Sequence, residues 1–314
     1  MMHKKILFYL CLLYYVIMAL FVPGFFSINN SWNLIFNLLP LLIAAVGQTY
    51  VIITGGIDLS ATAVIATCSV VGGYIMSSDF GPDLGSIPLI IIGVAAMMAI
   101  AMIIGLINGL SVLMLGMPSF MVTLATMIFF SGLAVWLTQS QNIYNLPEEF
   151  NNMFYTSVLG IPIPIVIGAI LLLLSFFILN KTVLGQWIYS VGMNVKTSKV
   201  SGVRVGSTTV FTYVFSGFCL SIAAILYTSR LETGSPVMGQ NILLDIIGAV
   251  IIGGTSLYGG KGKIYMTVLG AIFIILLDNS LNLIGLSFFM IMIIKGAVIL
   301  TAVLLNDWKK KSTI

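Results

Sequence analysis

Charge is what this sequence has least of. Only 7% of its 314 residues are Asp, Glu, Lys or Arg, and 60% are apolar, with a mean hydropathy of +1.15. An average soluble domain carries about a quarter charged residues, so a large water-soluble enzyme is excluded. The 13 basic and 9 acidic residues are scattered between long apolar runs, too few and too dispersed for a nucleic-acid-binding surface. Three cysteines, Cys11, Cys68 and Cys219, lie inside apolar stretches without paired spacing, which indicates neither a disulfide framework nor a zinc site. The single histidine, His3, stands at the extreme terminus, and most metal and acid–base chemistry goes with it. A Walker A loop is missing too: in the glycine-rich stretch 253–263 the position five before Gly260 is Thr255, and Lys261 is followed by Gly262 instead of a hydroxyl residue. No catalytic, cofactor-binding or metal-binding residue is expected in this chain.

What is abundant is spanning sequence. A transmembrane helix needs about 20 mostly apolar residues. Cutting at charges, prolines and Asn/Gly clusters leaves ten candidates: 6–26, 33–54, 60–77, 88–110, 120–138, 162–180, 208–229, 242–257, 264–284 and 287–305. The first follows His3, Lys4 and Lys5 as a secretory signal would. Its apolar run is long, however, and its exit lacks a small-x-small cleavage site, so it reads as a retained anchor. With the N-terminus inside, the outward loops carry Asp79 and Asp83, then Glu148 and Glu149, without a basic residue. The inward loops carry Lys181, Lys196, Lys199 and Arg204, then Lys261 and Lys263, and the tail carries Lys309 to Lys311. Arg230 is the one outward basic residue, with Glu232 two positions away to offset it. The expectation is an all-α polytopic membrane protein, one transmembrane domain over 1–314, with both termini cytoplasmic.

Inside the spans the polar candidates are few. Lys295 lies near mid-depth of the last span, where an unpaired lysine costs about 3 kcal/mol. The last two spans form a hairpin turning near Leu286, which brings Asp278 to the depth of Lys295; Asp245 is a second possible partner. An internal ion pair holding helices together is the favoured reading, with a proton relay or a pore-lining lysine as alternatives. Gly55-Gly56 and Gly253-Gly254 follow similar apolar runs, a weak internal echo. They mark either broken helices lining a path or glycine-rich turns closing hairpins. Asp58 and Ser60 would cap the third span. Gly105-x3-Gly109 suits close helix packing. Asn108 beside it either bridges helices, the favoured reading, or faces a polar path. Between the sixth and seventh spans, residues 181–207 carry a short amphipathic segment, 194–200, stopped by Ser201-Gly202. It either rests on the bilayer or fits a partner's groove.

These residues resemble a known family. Residues 54–60 (TGGIDLS), Gly109 with 116–124 (GMPSFMVTL), the Gly192-Met193-Asn194 to Ser201-Gly202 loop, and 253–263 followed by 281–285 (LNLIG) are similar to the signatures of ribose-type ABC importer permeases. This is the simple-sugar branch related to the autoinducer-2 and branched-chain amino acid permeases, and the match runs in order over the chain after the first span. The resemblance implies a type II ABC importer-like permease fold and a multi-pass subunit of the bacterial inner membrane. It also implies ATP-Mg bound by a partner ATPase, a periplasmic or lipid-anchored sugar-binding protein, and a second permease protomer, identical or not. On that reading Tyr189, Gly192, Met193, Asn194, Val195, Ser198, Lys199, Gly202 and Val203 belong to an ATPase-coupling loop with a coupling helix. Gly55, Gly56, Asp58, Asn108, Gly253, Gly254 and Asn279 are candidates for the translocation path or for helix breaks. Asp79, Asp83, Glu148, Glu149, Arg230 and Glu232 are candidates for docking the binding protein.

Departures from the family pattern are Ala61-Thr62 after Ser60, Lys196-Thr-Ser-Lys199 where paired alanines are common, and Asp278 where an amide is usual. The implied activity is ATP-driven import of a monosaccharide, ribose first, then other simple sugars and autoinducer-2. The alternative is an ion-coupled secondary transporter of a small polar solute, against which the sparse Asp58, Asp245, Asp278 and Lys295 argue. A membrane-embedded enzyme would need a His, Asp or Cys cluster that the sequence lacks.

Overall fold

The computed structural model describes residues 2–82 and 84–311, with side chains described for 7–82 and 84–304. The elements in chain order are α1 (Met2–Phe21), α2 (Ile28–Ile53), α3 (Ala61–Met76), α4 (Ser86–Leu115), α5 (Ser119–Thr138), α6 (Glu148–Asn152), a hairpin of β1 (Ser157–Val158) and β2 (Ile161–Pro162), α7 (Ile163–Lys181), α8 (Val183–Met193), α9 (Val195–Val200), α10 (Val205–Leu231), α11 (Leu243–Ile252), α12 (Ile264–Leu283) and α13 (Phe288–Lys311). By length and composition six of these, α2, α4, α5, α7, α10 and α12, can cross a membrane. Shorter apolar helices, Leu7–Phe21, Ala61–Met76, Leu243–Ile252 and Phe288–Leu304, occupy the other four candidate spans.

Two of the candidate spans differ in length from expectation. The run 242–257 forms only the ten-residue α11, about 15 Å long and half a hydrocarbon core. It ends because Gly253, Gly254 and Thr255 turn back their amides onto Ala249, Ile251 and Val250, with Gly254 at φ +77°, open to glycine at no steric cost. Hydropathy counts apolar residues but does not register that turn. Conversely α4 runs 30 residues, about 45 Å, until Gly116 adopts φ +61°. The structure also adds α8, a helix within the stretch taken above as loop.

At the centre stand α2 and α10, buried along most of their length, while α4, α5 and α7 expose most of theirs. That division is what a bilayer selects, because outward Leu, Ile and Phe side chains face lipid at no cost. α10 packs against α4, α2 and α3. The α4 contact is made by small residues: a Cβ on Gly105 would come 2.4 Å from the Tyr213 carbonyl oxygen, and one on Gly109 would come 2.8 Å from Val210 Cα. From the other side Gly217 approaches the Ala101 carbonyl in the same way. Backbone approach of this kind replaces the hydrophobic driving force that lipid withholds.

Candidate functional site

At the end of α2 four glycines from three segments meet. Gly192, in the last turn of α8, lies so close to α2 that an added Cβ would stand 1.8 Å from the Ile53 carbonyl oxygen. The same oxygen accepts the Gly260 amide (2.8 Å). A Cβ on Gly259 would come 2.8 Å from the Gly192 oxygen and 3.0 Å from Gly55. Gly55, Gly259 and Gly260 have φ of +84°, +81° and +70°, a region L side chains rarely adopt. The two glycine-rich runs therefore do touch, but through Gly55 and Gly259-Gly260. Gly253-Gly254 instead closes α11 against α12, where a Cβ on Gly253 would meet the Met266 oxygen at 2.6 Å.

From this junction the segment of the coupling candidates projects. Tyr189 donates its hydroxyl to the Gly262 carbonyl (2.8 Å), and burial raises the phenol's pKa, so the donor stays protonated. Asn194 interrupts α8 in an extended conformation and caps α9 by accepting the Thr197 amide on its side chain (3.0 Å). Gly202 at φ +81° ends the helix while the Val203 amide returns to the Ser198 carbonyl (3.0 Å). Of α9 only Ser198 is buried; Val195, Lys196, Lys199 and Val200 are exposed, as is Met193 before it. The six-residue helix is thus held at its base and exposed on its remaining faces.

Beyond Gly56 the chain leaves helix over Ile57–Leu59 before α3 begins, with Asp58 and Ser60 buried and Ile57 and Leu59 half-buried. Its backbone is satisfied by α5: Ser119 Oγ accepts the Ile57 amide (3.0 Å), and Thr123 Oγ1 accepts the Leu59 amide (3.1 Å) and donates to the Ile57 carbonyl (3.0 Å). Asp58, 1% exposed, accepts the Ser60 amide (2.9 Å) and hydroxyl (2.6 Å) on Oδ1 and the Ser216 hydroxyl (3.3 Å) on Oδ2. Gln48 brackets the Asp58 backbone, its amide nitrogen donating to the carbonyl and its oxygen accepting the N–H. Asn108 donates to Ser60 Oγ (2.8 Å), which joins α4 to the start of α3. The expected cap on α3 is not formed: Ser60 has helical dihedrals and turns its hydroxyl to Asp58, so neither side chain caps a helix amide.

Lys295 on α13 lies between two carboxylates, Asp245 Oδ2 at 2.8 Å in the first turn of α11 and Asp278 Oδ1 at 2.9 Å on α12. The α12–α13 turn falls at Gly285, φ +83°, next to the expected Leu286. Asn279 faces away from that group: it exchanges amide bonds with Asn30 of α2 at 2.8 and 3.0 Å.

The outer acidic residues are dispersed. Asp79 accepts from Asn145 (2.9 Å), Glu149 accepts from Ser86 (3.0 Å), and Glu148 and Glu232 are exposed, Glu232 at φ +53° ending α10. Asp83 lies outside the described residues. Arg230 does not pair with Glu232. It turns inward, donating to Asn37 Oδ1 and lying 5.7 Å over the Phe154 ring, because α10's last turn points it at α2.

Residues 30–303 match the family described as branched-chain amino acid transport system / permease component. The chain belongs to that permease family. This permease is 35% identical over 296 residues to the ribose import permease of Haemophilus influenzae, covering 93% of this chain and 89% of the relative. It is 34% identical over 314 residues to that of Escherichia coli (99% and 95% covered), and 30% identical over 283 residues to the D-allose transport system permease of the same species (90% and 84% covered). No solved structure matches. The permease is thus a multi-pass transport subunit of the inner membrane.

Proposed function

We propose that this permease imports a simple sugar, ribose or a close relative of it, as the membrane subunit of a binding-protein-dependent ABC importer. The observation that carries the reading is the similarity to a ribose import permease over 99% of the chain. The glycine junction supports it physically, because it gives the exposed α9 a rigid seat against the ends of α2 and the 253–263 loop. α8 and α9 then act as the coupling element that a partner ATPase, carrying ATP-Mg, pushes on. Ten spans in a type II arrangement, both termini cytoplasmic, two protomers around one path, and a sugar-binding protein on the acidic outer face complete the proposal. No observation favours ion-coupled transport.

Reconstitution tests it. With its ATPase and binding protein the permease takes up ribose in an ATP-dependent manner; alone it hydrolyses no ATP and accumulates no sugar. Uphill uptake by the isolated chain overturns the assignment.

A further inference from the structure

Asn30, Asn33 and Asn37 fall three and four residues apart and so share one face of α2. On α12, Asn282 falls four residues after Asp278 and three after Asn279, which puts these polar groups on adjoining positions of one side of the helix. Together with Arg230 the two faces line a cavity of about 380 Å³, within the size range of small-molecule sites. It lies at the start of α2, which is 23 residues, about 35 Å, from the glycine junction at Ile53. It therefore opens on the side that carries the acidic loops.

The chemistry of the cavity is amide-rich and neutral. Of the lining residues only Arg230 and Asp278 are charged, and with opposite signs, so neither an anion nor a cation is selected. The wall offers both donors and acceptors: the Asn33 carboxamide, the Asn37 amide nitrogen left over from the Arg230 bond, the guanidinium edge, and the Asn282 oxygen. Asn282 Nδ2 donates to Asp278 Oδ2 (3.2 Å), and the Asn30–Asn279 pair closes the inner wall. Carboxamides, a guanidinium and a carboxylate brought together in this way match vicinal hydroxyls, each of which donates once and accepts. Because many of these groups already bond one another, a ligand exchanges hydrogen bonds instead of gaining them, and binding is weak. Weak binding is what a path needs at the point where it takes solute from a tighter receptor.

We propose that this cavity is the outer-side binding site of the permease for a neutral polyhydroxy solute; that the solute is the transported sugar rests on the function proposed above. The test is saturation-transfer NMR of ribose on the permease in nanodiscs, without binding protein, and ribose uptake by the complete complex. Wild type gives a ribose signal. Asn33→Leu with Asn282→Leu, both at the exposed rim, reduces signal and uptake about tenfold, as loss of two hydrogen-bonding partners requires; Asn33→Ala alone gives the same direction with less risk to folding. Unchanged signal and uptake in these variants overturns the site. So does loss of binding-protein-stimulated ATP hydrolysis with an unchanged ribose signal, which makes the cavity a receptor-docking pocket. If the wild-type complex takes up no ribose, the sugar reading fails, separately from the cavity.

Discussion

Among single residues, Lys295 carries the most strain potential. Replacing it with Met removes the cation from two carboxylates at once. Breaking a buried pair costs about 3–5 kcal/mol, and the Asp278 side contributes less because that side chain is 38% exposed. Lys295→Met is therefore expected to lower the thermal stability and yield of the purified protein, and adding Asp245→Asn and Asp278→Asn should recover most of the loss. A pH-linked transport defect with normal protein yield would instead favour a proton relay. Gly192 makes the opposite kind of demand. Gly192→Ala places a methyl against a backbone oxygen, and backbone cannot step aside. Insertion in the membrane is expected to persist while stimulation of the partner ATPase is lost; normal stimulation would place the coupling element elsewhere. Of these two residues, Lys295 and both its candidate partners were legible in the sequence, because a mid-span charge has to be paid in partners. That the lysine takes both acids was not, since helix adjacency of α11 with α13 is a tertiary fact.

Elements tell a different story. α9 is too short to stand alone in water, since isolated helices under about 12 residues are marginal. Its order depends on the Asn194 cap and on Gly202 at its end. Asn194→Ala is expected to cost about 1 kcal/mol of local stability, seen as faster amide exchange across 195–200 and weaker ATPase stimulation, whereas Asn194→Ser retains both. The segment's limits could be read from Asn194 and Ser201-Gly202, which carry the start and stop signals themselves. α8 could not, because its apolar residues Ile188 and Val191 are buried against other segments and leave no run long enough to count. The cap assigned to Asp58 and Ser60 failed for a related reason: the Ser60 hydroxyl donates to the buried Asp58 carboxylate and accepts from Asn108 on α4, partners met across helices instead of α3's own amides. Asn30, Asn33 and Asn37 were overlooked although their spacing marks one helix face; only the facing α12 residues give that stripe a meaning.

For the whole molecule the decisive property is sidedness. Asp79→Cys and Glu148→Cys are expected to react with an impermeant thiol reagent added outside intact cells, and Lys196→Cys and Lys261→Cys only after the membrane is opened. The native Cys11, Cys68 and Cys219 are buried and leave the background low. Labelling of position 196 from outside would invert the topology.

Composition and charge placement were enough, from sequence alone, to establish a lipid-embedded helical chain and to locate its apolar helices and the short α9. Those follow from transfer energies and periodicity, which act locally along the chain. Tertiary structure decided where α11 stops, that four glycines from three segments share one contact, that Arg230 turns inward, and that two asparagine faces enclose a cavity. Each of these depends on residues distant in sequence meeting across helices, and helix-to-helix register in lipid is set by close packing and hydrogen bonds, not by hydropathy.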